Sequence, residues 1–227
     1  FSLADDGGIQ NHNDDGTETG STARQVTGID VVAQYDADGN RQYIDADGNL
    51  TTVDTGTPAV TMYVTSSDKR IGAGTDGGDD GLDTNSGVIT RLVQTGENTW
   101  EQVDLIRGLA RSEENHATNG LEVIQEVDDD GKLISERLLV ANGGNANTGA
   151  PSNNFAGQQE QPLSAAILEV DVTGMLADMP VLYDEGRAYI YDLPTLDDPT
   201  RDGACSSSEF SGELGRFRNG GSGSLSV

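Results

Sequence analysis

The feature that most constrains this chain is a succession of short, β-branched segments separated by clusters of Gly, Asp and Asn. Eight segments are predicted to be strands: QVTGIDVVA (25–33), AVTMYVTS (59–66), GVITRLVQ (87–94), WEQVDLI (100–106), LEVIQEV (121–127), KLISERLLVA (132–141), LSAAILEVDV (163–172) and RAYIYDL (187–193). Short strands bounded by turn residues are the pattern of an all-β sandwich, barrel or propeller. ISERLLVA and SAAILEV also have helix-like composition, but Gly-rich flanks and the lack of helix caps favour strands there as well.

The chain is strongly acidic, with 39 Asp and Glu against 13 Lys and Arg, which gives a net charge of −26. This charge repels phosphate backbones and anionic lipid surfaces, so we expect neither nucleic-acid binding nor docking on a membrane. No apolar stretch reaches the roughly 18–20 residues that a membrane-spanning helix needs. Because salt screens repulsion among acidic groups, the composition predicts a saline or calcium-rich extracellular setting, in solution or at a cell surface.

Length and cysteine content limit the architecture further. The 227 residues suffice for one domain of ordinary size. Cys205 is the single cysteine, which excludes an intrachain disulfide and a cysteine-based zinc site. We divide the chain into a polar leader (1–24), a strand-rich segment (25–201) and a Gly/Ser-rich tail or linker (202–227).

A short motif occurs twice, nine residues apart, as YDADGN (35–40) and IDADGN (44–49). Asp begins a turn and Gly adopts the positive φ that closes it. A calcium loop of the EF-hand type requires Gly at its sixth position and a distal Glu, and neither spacing holds here. The motif therefore favours two hairpin turns over two calcium sites.

Three long Asp-, Gly- and Asn-rich loops interrupt the strands, over residues 71–86, 142–161 and 197–227. Loops of this length are commonly functional. The first loop, IGAGTDGGDDGLDTNS, carries carboxylates of the kind that ligate Ca²⁺: Asp76, Asp79, Asp80 and Asp83. A solvated acidic loop is the alternative interpretation.

Several segments together resemble a known family. They are RGLARSEENHATNGLEV (107–123), RLLVANGGNANTGAPSNNF (137–155) and LSAAILEVDV (163–172), with weaker support from IQNHNDDGT (9–17), RQVTGI (24–29), MYVTSSDKRIGAG (62–74), LDTNSGVITRL (82–92) and YDLPTLDDPTR (191–201). The chain resembles the glucose/sorbosone dehydrogenase-like β-propellers of bacteria, and more closely their surface-protein branch. The resemblance covers most of residues 9–201, with an insertion near 34–57.

The resemblance implies a propeller of about six four-stranded blades, of which this chain supplies about half. It follows as an expectation that the chain is a fragment or that other blades or chains complete the ring. An open propeller sector would expose unpaired strand edges, which favour association.

The resemblance also implies a site. Some relatives oxidise aldoses with pyrroloquinoline quinone (PQQ) and Ca²⁺, and a loop histidine removes the proton from the sugar C1 hydroxyl. By its position, His116 corresponds to that general base, a task that suits imidazole. Asn115 and Asn147 would contact cofactor or sugar, and Arg218 and Asn219 superficially match a quinone-binding Gly-x-Arg-Asn-Pro motif.

These observations leave three functions open. The first is a Ca²⁺-stabilised extracellular propeller segment of a larger surface protein, with a binding or scaffold role. The second is a PQQ-dependent aldose dehydrogenase that uses His116 as general base. The third is a subunit of an extracellular polymer joined through open strand edges. A carbohydrate is the small-molecule partner that the resemblance implies.

Overall fold

The computed structural model describes residues 9, 11, 20–70, 85–112, 116–144, 163–184, 187–193 and 225–226. Within these residues the fold is all-β apart from one short helix. Its strands are β1 (Arg24–Ala33), β2 (Tyr43–Ile44), β3 (Leu50–Thr51), β4 (Thr57–Pro58), β5 (Val60–Asp68), β6 (Gly87–Gly96), β7 (Thr99–Leu109), β8 (Thr118–Val127), β9 (Leu133–Asn142), β10 (Ala166–Asp171), β11 (Leu182–Asp184), β12 (Arg187–Asp192) and β13 (Leu225–Ser226). Helix α1 spans Val172–Asp178. All eight predicted strands are present.

Helix α1 begins where the sequence predicted a continuing strand. The predicted run 163–172 is a strand from Ala166 to Asp171, and Val172 then starts the helix. The Asp171 carboxylate accepts a hydrogen bond from the backbone N–H of Gly174 at 2.9 Å, which is the arrangement of a helix N-cap. Val172 and Met175 are buried in the core, so tertiary packing stabilises this single short helix.

Two sheets carry most of the strands. The larger sheet has the order β1-β5-β6-β7-β12-β11, in which the first four strands form an antiparallel meander and β12 pairs with β7 in parallel. The second sheet has the order β13-β10-β9-β8 and is antiparallel throughout. The described residues contain no closed ring of sheets.

The hydrophobic core contains residues from both sheets. Its buried members are Tyr63, Ile89, Leu105, Ile106, Leu109 and Ile190 from the larger sheet, Leu138, Val140, Leu168 and Val170 from the smaller sheet, and Val172 and Met175 from α1. Leu, Val and Ile on adjoining strands bury apolar area from both sides, which is the main stabilising contribution to such a fold.

Three hydrogen-bonded polar side chains lie next to this core: Arg91, Tyr63 and Glu136. The hydroxyl of Tyr63, whose residue is fully buried, donates to Glu136 Oε1 and accepts from Arg91 Nε at 3.1 Å. Burial, together with the negative charge of Glu136, raises the pKa of Tyr63. The phenol therefore stays protonated and can satisfy the buried carboxylate.

Side chains of β1, β5 and β8 join the two sheets. Thr65 donates to the carbonyl of Asn119 at 2.6 Å, the N–H of Val123 donates to Asp30 at 2.8 Å, and Gln125 donates to the carbonyl of Ala33 at 2.7 Å. A Cβ at Gly28 would lie 2.7 Å from the Asn119 oxygen, so this close approach needs glycine. Because β1 and β8 are each at the edge of a sheet, these contacts close one side of the fold.

The two YDADGN/IDADGN segments form turns, as predicted. In each turn the first Asp accepts backbone N–H bonds from residues two and four positions later: Asp36 from Asp38 and Asn40, and Asp45 from Asp47 and Asn49. Their glycines have φ of +77° and +82°. Together with β2, β3 and β4 they form a small three-stranded sheet.

A third turn of the same construction was not anticipated. Asp128 accepts N–H bonds from Asp130 and Lys132, and Gly131 has a φ of +78°. The turn at 36–40 contacts the start of β9, because the N–H of Leu133 donates to the Gly39 carbonyl at 2.9 Å. The turn at 45–49 contacts the β6–β7 hairpin, where Glu97 N–H donates to the Gly48 carbonyl at 3.1 Å. We call this end of the fold, with turns 36–40, 45–49 and 128–132, the turn end.

Candidate functional site at the loop end

At the opposite end, strands of both sheets begin or end at the long connections. The residues that mark it are Arg24, Asp68, Gly87, Leu109, Thr118 and Asn142. We call this the loop end. It includes His116, which lies between β7 and β8, and its polar side chains are more buried than those of the turn end.

Arg111 is the centre of the loop end and is completely buried. Its guanidinium donates to backbone carbonyls of Asp68 at 3.3 Å, Arg70 at 2.6 Å, His116 at 3.4 Å and Ser112. The Arg111 guanidinium therefore joins the end of β5 to the connection between β7 and β8. The planar fork of five N–H donors makes arginine suited to this role, which a lysine ammonium could not fill.

Asp68 and Arg70 continue this network toward the surface. The fully buried Asp68 accepts from Arg70 Nε at 2.9 Å and Nη2 at 2.7 Å, while Arg70 is one-third exposed. The backbone N–H of Asp68 donates to Ser86 Oγ at 3.1 Å, which joins the end of β5 to the start of β6. Two donors of one guanidinium thus stabilise this buried carboxylate through its Oδ2 atom.

Arg24 makes a second connection of the same kind. It donates to the backbone carbonyls of Ser66, at 3.2 Å, and Ser86, and to the side-chain oxygen of Asn11 at 2.8 Å. The start of β1 is thereby bound to the end of β5 and the start of β6. Arg24 and Arg111 together hold five chain segments in one arrangement.

His116 is half-buried and held by its backbone. Its N–H donates to Ser112 Oγ at 2.9 Å, and its carbonyl accepts from the Ser112 N–H at 2.8 Å. A Cβ at Gly143 would lie 3.0 Å from the His116 Cβ and 2.8 Å from the backbone of Ala117, so only glycine lets the end of β9 pass so close. His116 therefore lies between the β7–β8 connection and the end of β9.

The structure places only one of the predicted site residues. His116 lies at strand ends, where its carbonyl accepts from the buried Arg111, and its role as a general base beside an axial channel stays a prediction. Asn115, Asn147, Arg218 and Asn219 lie outside the described residues, as do the proposed calcium ligands Asp76, Asp79, Asp80 and Asp83. The roles assigned to these residues stay predictions.

The described carboxylates of the turns bind backbone N–H groups. Asp36 and Asp45 each use one side-chain oxygen for two turn N–H groups. Among the residues that the structure describes, no group of three or more His, Cys, Asp or Glu side chains is arranged to hold a metal ion. The same part of the chain contains no helix of the length and hydropathy needed to cross a membrane.

Sequence reasoning missed the half-buried Arg24 and the buried Arg111. Arg24 directly precedes the predicted strand 25–33, whereas Arg111 lies beyond the predicted strand 100–106, so the scarcity of basic residues, 13 in the chain, was the available signal. Nothing in the sequence indicates which carbonyls they bind, because the partners lie up to 62 residues away.

Comparisons with known proteins add no relative: no family model, curated protein or solved structure matches this chain. The resemblance to dehydrogenase-like propellers therefore rests on the sequence segments quoted above.

Proposed function

We propose that this chain is an extracellular binding or scaffold module that presents its ligand-contacting loops from the loop end. The observation that carries the proposal is a pair of arginines, the buried Arg111 and the half-buried Arg24, which donate to backbone carbonyls at the bases of these loops. Loops on a rigid β scaffold are a common arrangement for recognition, because the scaffold supplies the order that binding would otherwise have to create.

The polar contacts of the loop end favour a role in presenting the loops to a ligand over a purely structural role. Several buried polar side chains at this end connect segments from different parts of the chain: Asp68, Ser86, Arg111, Ser112 and Asn142. His116 and the one-third-exposed Arg70 lie at the outer edge of this network and are the described side chains that we expect a ligand to contact.

We further propose that the two main sheets are sectors of a dehydrogenase-like propeller. The β1-β5-β6-β7 meander and the antiparallel β13-β10-β9-β8 sheet support this, since a propeller blade is a four-stranded antiparallel sheet. The net charge of −26 supports an extracellular, saline or calcium-rich setting and argues against nucleic acid and anionic membranes as partners.

A carbohydrate-binding test addresses the main proposal. Binding of the full chain to a panel of immobilised saccharides is compared with that of His116→Ala and of a turn-end control, Asp47→Ala. We expect at least tenfold weaker binding for His116→Ala and unchanged binding for Asp47→Ala. Equal binding by wild type and His116→Ala, or no binding across the panel, would refute a carbohydrate site at the loop end.

The same variants separate a binding module from an enzyme. PQQ, Ca²⁺, a redox dye and an aldose panel are added to wild type, His116→Ala and His12→Ala, the last as the matched control at the second histidine. Dye reduction that is lost only in His116→Ala would establish the dehydrogenase, with His116 as its base. We expect no dye reduction by any of the three proteins.

Calcium stabilisation is tested separately. If the acidic loop with Asp79 and Asp80 binds Ca²⁺, EDTA should lower the melting temperature and added Ca²⁺ should restore it. The double variant D79N/D80N should lose this response. A melting temperature that is the same with EDTA and with Ca²⁺ would remove calcium from the proposal.

A further inference from the structure

A buried charge cluster lies on the larger sheet, away from the loop end. The fully buried Asp104 accepts from Arg187 Nε and Nη2, both at 2.8 Å, from Arg107 Nε at 3.1 Å and from Thr90 Oγ1 at 2.8 Å. Both arginines are also buried: Arg187 is 3% exposed and Arg107 is 7% exposed. One carboxylate thus serves two guanidinium groups, and its acceptor positions are filled.

A bulge in β7 makes this cluster possible. Residues three apart on a regular strand face opposite sides, so Asp104 and Arg107 should not meet. Ile89 of β6 pairs with Ile106 of β7, and the next residue of β6, Thr90, pairs with Asp104. Leu105 is therefore the extra residue of the bulge. The bulge turns Arg107 back to the face of Asp104, where its guanidinium lies 4.6 Å from the centre of the Tyr189 ring.

The far side of Arg187 carries an unsatisfied donor. Its Nε and Nη2 engage Asp104, but Nη1 is buried and has no hydrogen-bond partner. Leaving part of a charged guanidinium buried and unbonded is costly, and native structures rarely do so without an occupant.

An unsatisfied amide lies on the same face, in the adjacent strand. Tyr189 of β12 pairs in parallel with Asp104 of β7. Arg187 and Gln102 each lie two residues earlier, which places them on the same face at neighbouring register positions. The Oε1 of Gln102 is buried without a partner, and its Nε2 makes no hydrogen bond within the described residues.

We propose that Arg187 and Gln102 form a binding site for a small monovalent anion, of the halide or carboxylate class. A half-turn of the Gln102 amide exchanges its two terminal atoms and breaks no hydrogen bond to the described residues, so Nε2 can donate where Oε1 lies. An anion would then accept from Arg187 Nη1 and from Gln102 together. The anion would also lower the free-energy cost of burying the Arg187 guanidinium. Among the described residues this guanidinium pairs with one carboxylate, that of Asp104, which it shares with Arg107. This site is separate from the loop end and does not depend on its function.

The test measures melting temperature against chloride concentration at constant ionic strength, with bulky gluconate as the replacing anion. Because a ligand that binds only the folded state stabilises it by mass action, we expect a saturable rise of about 5 °C at saturation. Formate in place of chloride should act alike. Identical curves in chloride and gluconate would mean simple screening, or a bound water in place of an anion, and either would overturn the proposal.

Variants test whether the chloride effect on the melting temperature arises at this site. Gln102→Leu keeps Arg187 and should weaken the apparent chloride affinity about tenfold, while Arg187→Met should abolish the response. Thr90→Val is the matched control, because its hydroxyl donates to Asp104 and to neither Arg187 nor Gln102, and its loss should leave the chloride response intact. If Arg187→Met does not fold, Gln102→Leu decides: an unchanged response in that variant contradicts the proposed site. A bromide-soaked crystal should show its anomalous signal within hydrogen-bond distance of Arg187 Nη1.

Discussion

The turn end and the loop end are both rich in Asp, Asn and Gly, yet they are built differently. At the turn end each Asp binds N–H groups two and four residues along the chain, and most of these bonds are exposed. At the loop end the key donors are arginines whose acceptors lie between 1 and 62 residues away, and most of these contacts are buried or partly buried.

This difference predicts how each end responds to change. An exposed local bond can be replaced by water, so its loss costs little. A buried guanidinium bound to several carbonyls has no such substitute, and its removal leaves several acceptors unsatisfied at once. The loop end should therefore be the more sensitive to side-chain substitution, and the turn end should be sensitive chiefly where its backbone contacts another element.

The largest effect is expected for Arg111→Met. Loss of the guanidinium removes this donor from the carbonyls of Asp68 and Arg70, and we expect the free energy of unfolding to fall by about 3 kcal/mol or more. Urea unfolding monitored by circular dichroism measures this change.

Arg41→Met is the matched control at the turn end. Arg41 is exposed, so the same substitution should change the free energy of unfolding by less than about 0.5 kcal/mol. Equal effects of the two substitutions would show that the loop end is not organised by its buried arginine.

An intermediate effect is expected for glycine substitutions at the turn end. Gly39 and Gly131 have nearly equal positive φ, but a Cβ at Gly39 would lie 2.6 Å from the Leu133 carbonyl, whereas nothing lies within 4 Å of one at Gly131. Gly131→Ala should lower stability by about 1 kcal/mol through backbone strain alone. Gly39→Ala should lower it by about 2–3 kcal/mol, because the contact with Leu133 must also open.

Chemical denaturation of both variants separates the two contributions. If Gly39→Ala and Gly131→Ala were equally destabilised, the contact between the first turn and Leu133 would contribute nothing, and the turn end would consist of independent local turns.

The smallest effect concerns pH at Asp36. Partial burial raises the pKa of this carboxyl, but hydrogen bonds from Asn40 and Asp38 and the positive charge of Lys132 outweigh it, so the pKa is lowered overall. A lowered folded-state pKa gives stability that is present above the unfolded value near 3.8 and is lost as the pH falls through the folded value.

Asp36→Asn tests this, since asparagine can accept the turn bonds without the charge. The stability difference between wild type and Asp36→Asn should be small and constant above about pH 5, and should shrink between about pH 4 and pH 2. Asp38→Asn is the control, because the exposed Asp38 side chain accepts none of the turn bonds. A parallel pH response in both variants would contradict the role assigned to Asp36.

Much of the secondary structure could be predicted because its signals are local. β-Branched segments such as residues 87–94 and 187–193 became strands, and the Asp-x-Asp-Gly motif became turns with positive φ at glycine. The turn at 128–132 carries the same signal in DDDGK and could have been found by the same reasoning. The Asp104–Arg107 pair could not, because it depends on a bulge that reverses the usual alternation of a strand.

The sequence by itself determined the all-β character of this protein, the position of its strands and the form of its exposed turns, because each depends on residues within a few positions of one another. Only the tertiary structure decided which strands pair, where Arg111 and Arg187 find their acceptors, and that His116 lies against Gly143. The physical reason is distance along the chain: a buried arginine must find acceptors, but which distant carbonyl or carboxylate it reaches depends on how the sheets come together.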